Sequence, residues 1–334
     1  MRITNKSVYT RYLGHLENIQ NNKLREETRL TTGKQITGIE EQPERLSEIK
    51  ILQSKISKNN GFLDIIEQTL SEMRVAMESM EYMSATVKQI RQTAIDATQP
   101  GSSSSLSTYA NQIKSMLQDL VGQANADFNG RTLYSGTATN PGSLVVDPLD
   151  APYSSTELPF ELIEVPPTTA NPSGLKVIFK GNNNDRIVNK DSATTEVTNV
   201  KSQDLFGSNM ELFNDIINIY NTVRYNADGT LRSDTDEMTS TDRNTIDSLQ
   251  KTLLDHDQKM TNTIALFGSR YNRVDSMFQQ LTNENIRMSE IKSLKADADI
   301  ARTTIALKME ETSLLYSLQV GARIMQNSLF DFLR

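Results

Sequence analysis

Hydrophobic residues recur at alternating steps of three and four in two long stretches near the ends of the chain. The walk Leu63, Ile66, Leu70, Met73, Met77, Met80, Ser84, Val87, Arg91, Ala94 is apolar at eight of ten positions. The walk Phe267, Arg270, Val274, Met277, Leu281, Glu284, Met288, Ile291, Lys295, Ala298 is apolar at seven of ten. A third, Leu315, Leu318, Ala322, Met325, Leu329, Phe332, is apolar throughout. The chain as a whole is 37% apolar, so these runs are strongly enriched. A three-four stripe is the seam of a helix that packs lengthwise on another helix. The expected helix-seam and assembly residues are therefore Leu63, Ile66, Leu70, Met73, Met77, Met80, Val274, Leu281, Met288, Leu315, Leu318, Met325, Leu329 and Phe332. The expected fold class is mainly α: a long antiparallel coiled-coil-like helical rod made by paired N- and C-terminal segments, with a small β domain inserted.

The breaks between elements are legible too. Residues 1–43 carry sparse apolar positions (Ile3, Val8, Leu13, Leu16, Ile19, Leu24, Leu30) and predict an amphipathic helix too weak to stand alone. Thr31–Thr32–Gly33–Lys34 reads as a break. Pro43 starts or flanks a helix that runs to about residue 99, and at about 1.5 Å per residue the stretch 44–99 spans about 80 Å, too long for a compact globule. Pro100–Gly101 and the serines after it form a loop, followed by a helix near 106–126. The character changes at Phe128–Asn129–Gly130–Arg131, where Asn-Gly signals a tight turn and a domain link. Seven of the nine prolines lie between Pro141 and Pro172. Short β-like runs follow at 144–146, 160–165, 175–179 and 186–188. A helix is expected at 209–226, a polar loop at 227–241, and an interrupted helical stretch from Asp242 to the end. This divides the chain into a terminal helical assembly domain (1–43 with 296–334), a rod (44–136 with 208–295) and an outer β-rich insert (137–207).

Composition narrows the chemistry. The 334 residues include no Cys and no Trp, which excludes disulfides, thiol catalysis and thiolate metal sites. The net charge of −7 argues against nucleic-acid binding, which needs a basic face. No apolar run reaches membrane-spanning length, and the first thirty residues hold no signal-peptide apolar region, so no membrane insertion is expected. Asp234, Asp236 and Glu237 lack the glycine and terminal Glu of a calcium loop and read as a solvated loop. His15 and His256 each stand alone on a helical pattern. Gly181–Asn182–Asn183–Asn184–Asp185 reads as a turn, since no phosphate-binding lysine follows. Met73, Met77, Met80 and Met83 read as core filling. With no nucleophile, acid–base pair or metal set, neither enzyme activity nor a cofactor is expected.

Several stretches carry a family resemblance. Arg29–Leu30–Thr31–Thr32–Gly33–Lys34–Gln35–Ile36 resembles the corresponding segment of flagellin-like axial proteins of bacterial flagella. Ala126–Asp127–Phe128–Asn129–Gly130–Arg131–Thr132–Leu133–Tyr134–Ser135–Gly136–Thr137 is similar to the link between helices and outer domain in the hook–filament junction family (hook-associated protein 3). Val177–Ile178–Phe179–Lys180–Gly181–Asn182–Asn183 and Asp204–Leu205–Phe206–Gly207 resemble the outer domain of that family. Asp297–Ala298–Asp299–Ile300–Ala301 and Asn327–Ser328–Leu329–Phe330–Asp331–Phe332–Leu333 resemble its C-terminal helix. Where the family commonly has Asp-Asp-Pro, this chain has Glu41–Gln42–Pro43. Filament flagellin shares the paired terminal helices, but Thr32–Gly33–Lys34 with Pro43, and Tyr134–Ser135–Gly136, stand closer to the junction family. A type III-secreted helical tip or adhesion protein, and a cytosolic scaffold, are the other readings of a helical pair with a β head.

The resemblance implies a structural protein exported unfolded by the flagellar type III route, secreted to an extracellular or a periplasmic flagellum, and built into a ring around the flagellar axis. Its implied partners are further copies of itself, the first hook–filament junction protein, flagellin and an export chaperone. A chain without Cys suits such a route, having no disulfide to obstruct unfolding. The terminal segments are expected to be loosely helical or disordered in the free subunit and to order at assembly. Leu329, Phe332 and Leu333 make an apolar end, which the resemblance implies is covered by the chaperone before export.

Overall fold

The computed structural model describes residues 5–38, 41–99, 101–102, 105–189, 195–233 and 235–332. Along the chain come α1 (Asn5–Thr32), α2 (Pro43–Ala97) and α3 (Leu106–Ala124). Six short strands follow: β1 (Asp127–Phe128), β2 (Arg131–Thr132), β3 (Phe160–Glu164), β4 (Leu175–Phe179), β5 (Ile187–Asn189) and β6 (Thr195–Val197). The helices α4 (Ser202–Phe206), α5 (Glu211–Arg224), α6 (Ser240–Ala296) and α7 (Ile300–Phe332) complete the order. The chain forms two compact units, residues 1–61 with 282–334, and residues 62–281. The architecture is mainly α, with α2 and α6 packed antiparallel and small β sheets inserted between helices.

In the first unit, α1 packs on α7. The start of α2 runs beside the end of α6. Glu48 pairs with Lys295 at 2.5 Å. Lys292 donates to Gln53 at 2.9 Å, and Asn285 donates to Asn60 at 2.6 Å. Partners that rise along α2 fall along α6, as an antiparallel pair requires. Pro43 stands at the first position of α2, where its missing N–H is no loss.

In the second unit the seam continues with Arg74 donating to Tyr271 and Ser84 donating to Asp257 at 2.7 Å. On α6 the buried residues Ile246, Leu253, Met260, Phe267, Val274 and Leu281 fall every seventh position, each 3% exposed or less. That strict spacing is the coiled-coil signature. Between them the intermediate positions differ from the three-four walk. Tyr271 and Phe278 are half-buried, and in the first unit Asn285 is buried, whereas Glu284 and Ile291 are exposed. The seam therefore steps four then three from Phe267. On α2 the walk from Leu63 to Ala94 meets only buried or half-buried positions. A second buried stripe, Ala76, Ser79, Met83, Thr86, Ile90 and Ala97, lies beside it. There Ser79 donates to the Gln123 carbonyl at the end of α3, and Tyr134 donates to the Ala76 carbonyl. This part of α2 is enclosed on two sides, so a single stripe understates its burial.

The strands pair as three separate two-stranded antiparallel sheets, β1 with β2, β3 with β4, and β5 with β6. The β3–β4 pair sets Phe160 opposite Phe179. Phe160 contacts Phe179, Phe206 and Phe213 at ring-centroid distances of 4.8, 5.2 and 6.4 Å, which ties the sheet to α4 and α5. Asn125, just after α3, exchanges two hydrogen bonds with the backbone of Phe160 and acts as a surrogate strand neighbour. Residues 144–146 are not a strand. Val145 N–H bonds Lys180 O at 2.8 Å, but three prolines nearby remove the donors a ladder would need. Strand β6 has no counterpart in the sequence reading, because Thr195–Glu196–Val197 is too short and too polar to show a period of two.

Candidate assembly site

The terminal pair is built from an unexpected choice of faces. The inward positions of α1 are Tyr12, Leu16, Ile19, Lys23, Glu26 and Leu30, a four-three series containing two charges. The inward positions of α7 include Thr303, Glu310, Leu314, Ser317 and Gly321. The larger apolar residues point away: Ile305, Met309, Leu315 and Tyr316 are 62, 66, 70 and 65% exposed. Leu318 and Val320 are also exposed. A shallow groove of about 670 Å³ runs along this face, floored by Ile305, Met309 and Tyr316. Leu315 and Leu318 thus lie outside the α1–α7 seam, which passes one residue earlier, through Leu314, Ser317 and Gly321. Met325, Leu329 and Phe332 fall on the last turns of α7, where side chains lie outside the described residues, as Leu333 does altogether.

Two locks fix the register of α1 on α7. At one end, Tyr12 Oη donates to the Ser317 carbonyl at 3.1 Å and lies over Gly321. A Cβ at position 321 would meet the Tyr12 hydroxyl at 2.1 Å, so any larger residue obliges the Tyr12 ring to shift. At the other end the two interhelix links are bonded to each other. Gln35 N–H donates to Ala296 O at 2.8 Å, and Ala298 N–H donates to Gly33 O at 2.9 Å. Lys34 Nζ meets Asp297 Oδ1 at 2.6 Å. Gly33 takes φ +67° as α1 ends, with its N–H on Arg29 O. Hydrogen bonds from Lys34 and Ser293 hold the Asp297 carboxyl below its ordinary range. Burial acts to raise Glu41, but bonds from Thr37 and the nearby Arg29 outweigh it and lower the group. Asp299 caps α7 by accepting from Arg302 N–H. The joint thus unites Thr32–Gly33–Lys34 and Asp297–Ala298–Asp299, two stretches that carry the family resemblance.

A second meeting of such stretches occurs in the other unit. Asn129 and Gly130 take φ +53° and +76° and make the tight turn between β1 and β2, with Phe128 paired to Arg131. Asp127 Oδ2 accepts from Gly130 N–H at 2.9 Å. Beyond the turn, Tyr134 is fully buried, and burial pushes its phenol pKa up. Ser135 O accepts from Asn182 N–H, and a Cβ at Gly136 would lie 2.1 Å from Asn182 O. Arg186 reaches back from the strand region to Glu72 at 2.5 Å and to Leu133 O at 2.6 Å. The link is therefore clasped between α2 and the segment after β4.

The structure places Ile66, Leu70, Met73, Met80, Val274, Leu281 and Met288 at buried positions, and Leu63 and Met77 at half-buried ones. Tyr12, Gly321 and the Lys34–Asp297 pair escaped the sequence reading, although a lone glycine inside a helical pattern was the available signal for Gly321. His256 is buried beside Asp215 at 3.1 Å. Among the described residues, no group of three or more His, Cys, Asp or Glu side chains could hold a metal ion, and no helix is long and apolar enough to cross a membrane.

Comparison with known proteins bears on what this arrangement assembles. Residues 3–139 match the family described as the bacterial flagellin N-terminal helical region, a span that ends in the link after β2. No curated protein sequence matches the chain. Among solved structures it is similar to a flagellar hook-associated protein of Vibrio parahaemolyticus, with a TM-score of 0.57 and 16% identity over 77% of this chain and 99% of that one. It is similar to flagellar hook-associated protein-3 of Legionella pneumophila, with a TM-score of 0.55 and 11% identity over 74% of this chain and 99% of that one. It is also similar to FlgL of Xanthomonas campestris, with a TM-score of 0.52 and 11% identity over 72% of this chain and 98% of that one.

Proposed function

We infer that this chain, with its flagellin-type N-terminal region on the fold of the flagellar hook-associated proteins, is a structural component of the bacterial flagellum, placed between hook and filament. The observation that carries the reading is the inverted terminal pair. The N-terminal match includes α1, and the helix α1 pairs with, α7, turns Ile305, Met309, Leu315 and Tyr316 to solvent. Four large apolar side chains left in water along one helix call for a partner. Hook and filament components supply it: copies of this chain in a ring, the first junction protein on one side and flagellin on the other. The work is mechanical rather than catalytic.

The chain travels unfolded through the export channel to the flagellum outside the cell, and its terminal segments, 1–43 with 296–334, form the assembly domain. A dedicated chaperone covers the end of α7 until export. Deleting the gene tests the reading: cells with complete hooks and no filaments support it, and cells with normal filaments overturn it. The family match is named for flagellin, which favours a filament subunit as a second reading. Antibody labelling separates the two, since a junction subunit marks only the hook end and a filament subunit marks the whole length. Removing residues 325–334 should leave the second unit folded while chaperone capture and loading at the hook are lost. Retained capture and loading would remove the tail from the mechanism.

A further inference from the structure

We propose that residues 144–158 form a rigid docking strap that seats on a second copy of this chain, in the cleft between its α4 and α6. The proposal rests on the reading that copies assemble side by side, and both halves of the contact lie in the second unit.

The strap is fixed from beneath. Lys176 clamps Asp150 at 2.6 Å. Lys180, only 2% exposed, binds Glu161 at 2.5 Å and the Thr156 carbonyl at 2.7 Å. Glu161 also accepts from Ser154 Oγ, from Ser155 N–H and Oγ, and from Thr156 N–H. Asp147 caps the turn at Leu149, and Pro148 and Pro152 remove backbone freedom. Yet this anchored loop holds Val145 and Leu149 in water, 76 and 82% exposed, with Tyr153 and Leu158 also exposed. Ordering a segment so firmly while leaving its large apolar side chains uncovered is the arrangement of a preorganised binding loop. Its charge has one sign: residues 141–175 contain five acidic side chains and no Lys or Arg. After Lys176 and Lys180 neutralise Asp150 and Glu161, Asp147 and Glu157 have no ion-pair partner among the described residues.

The cleft has the complementary character. It encloses about 430 Å³ and is lined by Lys259 and Arg270 beside Leu266, which is 65% exposed, with Asp204 the single acid. Lys259 has no ion-pair partner among the described residues. Among the described residues nothing covers either surface, so strap and cleft do not satisfy each other internally. A contact joining two different patches of identical chains is heterologous, and such a contact closes into a ring when its rotation permits.

The absence of Cys allows a direct test. Full-length chains carrying Leu149→Cys with Leu266→Cys are loaded on hooks and treated with a short bis-maleimide. A ladder extending beyond dimers is expected, while either single substitution alone gives monomers and a mixture of the two singles gives dimers. Lys259→Glu should cut the yield about tenfold with an unchanged thermal melt, since the residue is exposed. Loaded protein that yields no ladder overturns the contact and leaves the junction reading intact. Dimers from a single substitution also overturn it, because they show like patches meeting. If the parent chain does not load on hooks, the junction reading falls, and the same cross-linking in concentrated solution still decides the contact.

Discussion

Helices α6 and α7 carry similar apolar stripes and use them in opposite ways. On α6, Phe267, Val274 and Leu281 are almost wholly buried, while on α7 Leu315 and Tyr316 are 70 and 65% exposed. The difference lies in the partner. Along its seam with α6, α2 offers Ile66, Leu70, Met73 and Met80, so apolar meets apolar. Facing α7, α1 offers Leu16, Ile19 and Leu30 interleaved with Tyr12, Lys23 and Glu26, and α7 meets them with Leu314 among small and polar residues, Thr303, Ser317 and Gly321. A three-four stripe announces that a helix will be covered. It does not say whether the cover comes from the same chain.

The sharpest break of this comparison pairs Phe267→Ala with Leu315→Ala. The first removes a fully buried ring and should cost about 3–5 kcal/mol in a denaturant titration. The second should move stability by less than about 0.5 kcal/mol, yet impair loading on hooks. Equal losses of stability would mean that α7 is buried in the free subunit.

Lys180→Met probes the insert. It leaves the Glu161 carboxylate buried without its cation, and a loss of about 3 kcal/mol is expected by thermal melting. Burial works to raise Glu161, but Lys180 and the Ser154 and Ser155 bonds hold it down to about 2, below its ordinary 4.5. A lowered carboxylate stabilises the fold fully above its ordinary value, and that contribution is lost as the pH falls from 4.5 towards 2. Parent protein should lose stability through that window. In Glu161→Gln the loss should be smaller. An identical acid profile for both would remove Glu161 from the account.

Gly321→Ala tests the terminal pair alone. The methyl would displace Tyr12 while alanine favours the helix by about 1 kcal/mol, so a net local loss of up to about 2 kcal/mol is expected. Hydrogen exchange should quicken in α1 and α7 while the second unit melts as before. The smallest effect belongs to Lys34→Ala. Its ion pair with Asp297 is half exposed, so at most about 1 kcal/mol is expected, shrinking as salt is added. A larger loss, or one indifferent to salt, would show that Lys34 holds the joint by more than charge.

Most helices were legible because their signals are local: Pro43, the glycine at 33, Pro100–Gly101 and the long stripes fix their limits. The mainly α fold followed from those. What escaped was pairwise. Nothing near Lys180 in sequence announces Glu161, nothing near Tyr12 announces Ser317, and the second buried stripe of α2 depends on α3 lying beside it. The four-three seam of α6 escaped for a subtler reason. A helix turns every 3.6 residues, so a walk that steps three first and one that steps four first diverge only at intermediate positions. There Arg270 and Glu284 gave the weaker pattern, and Tyr271, Phe278 and Asn285 make the contact.

The bonded links at residues 33–35 and 296–298 have a consequence in time. The Lys34–Asp297 contact joins positions 263 residues apart. Whichever end of the chain is delivered first must wait for the other before the joint can close. Entropy adds little to that wait, because the closing penalty grows only with the logarithm of loop length. The delay is set by delivery. The joint marks how far delivery has gone: it forms only once residues 33 to 298 are all present, and a chain cut short anywhere before Ala296 can never make it.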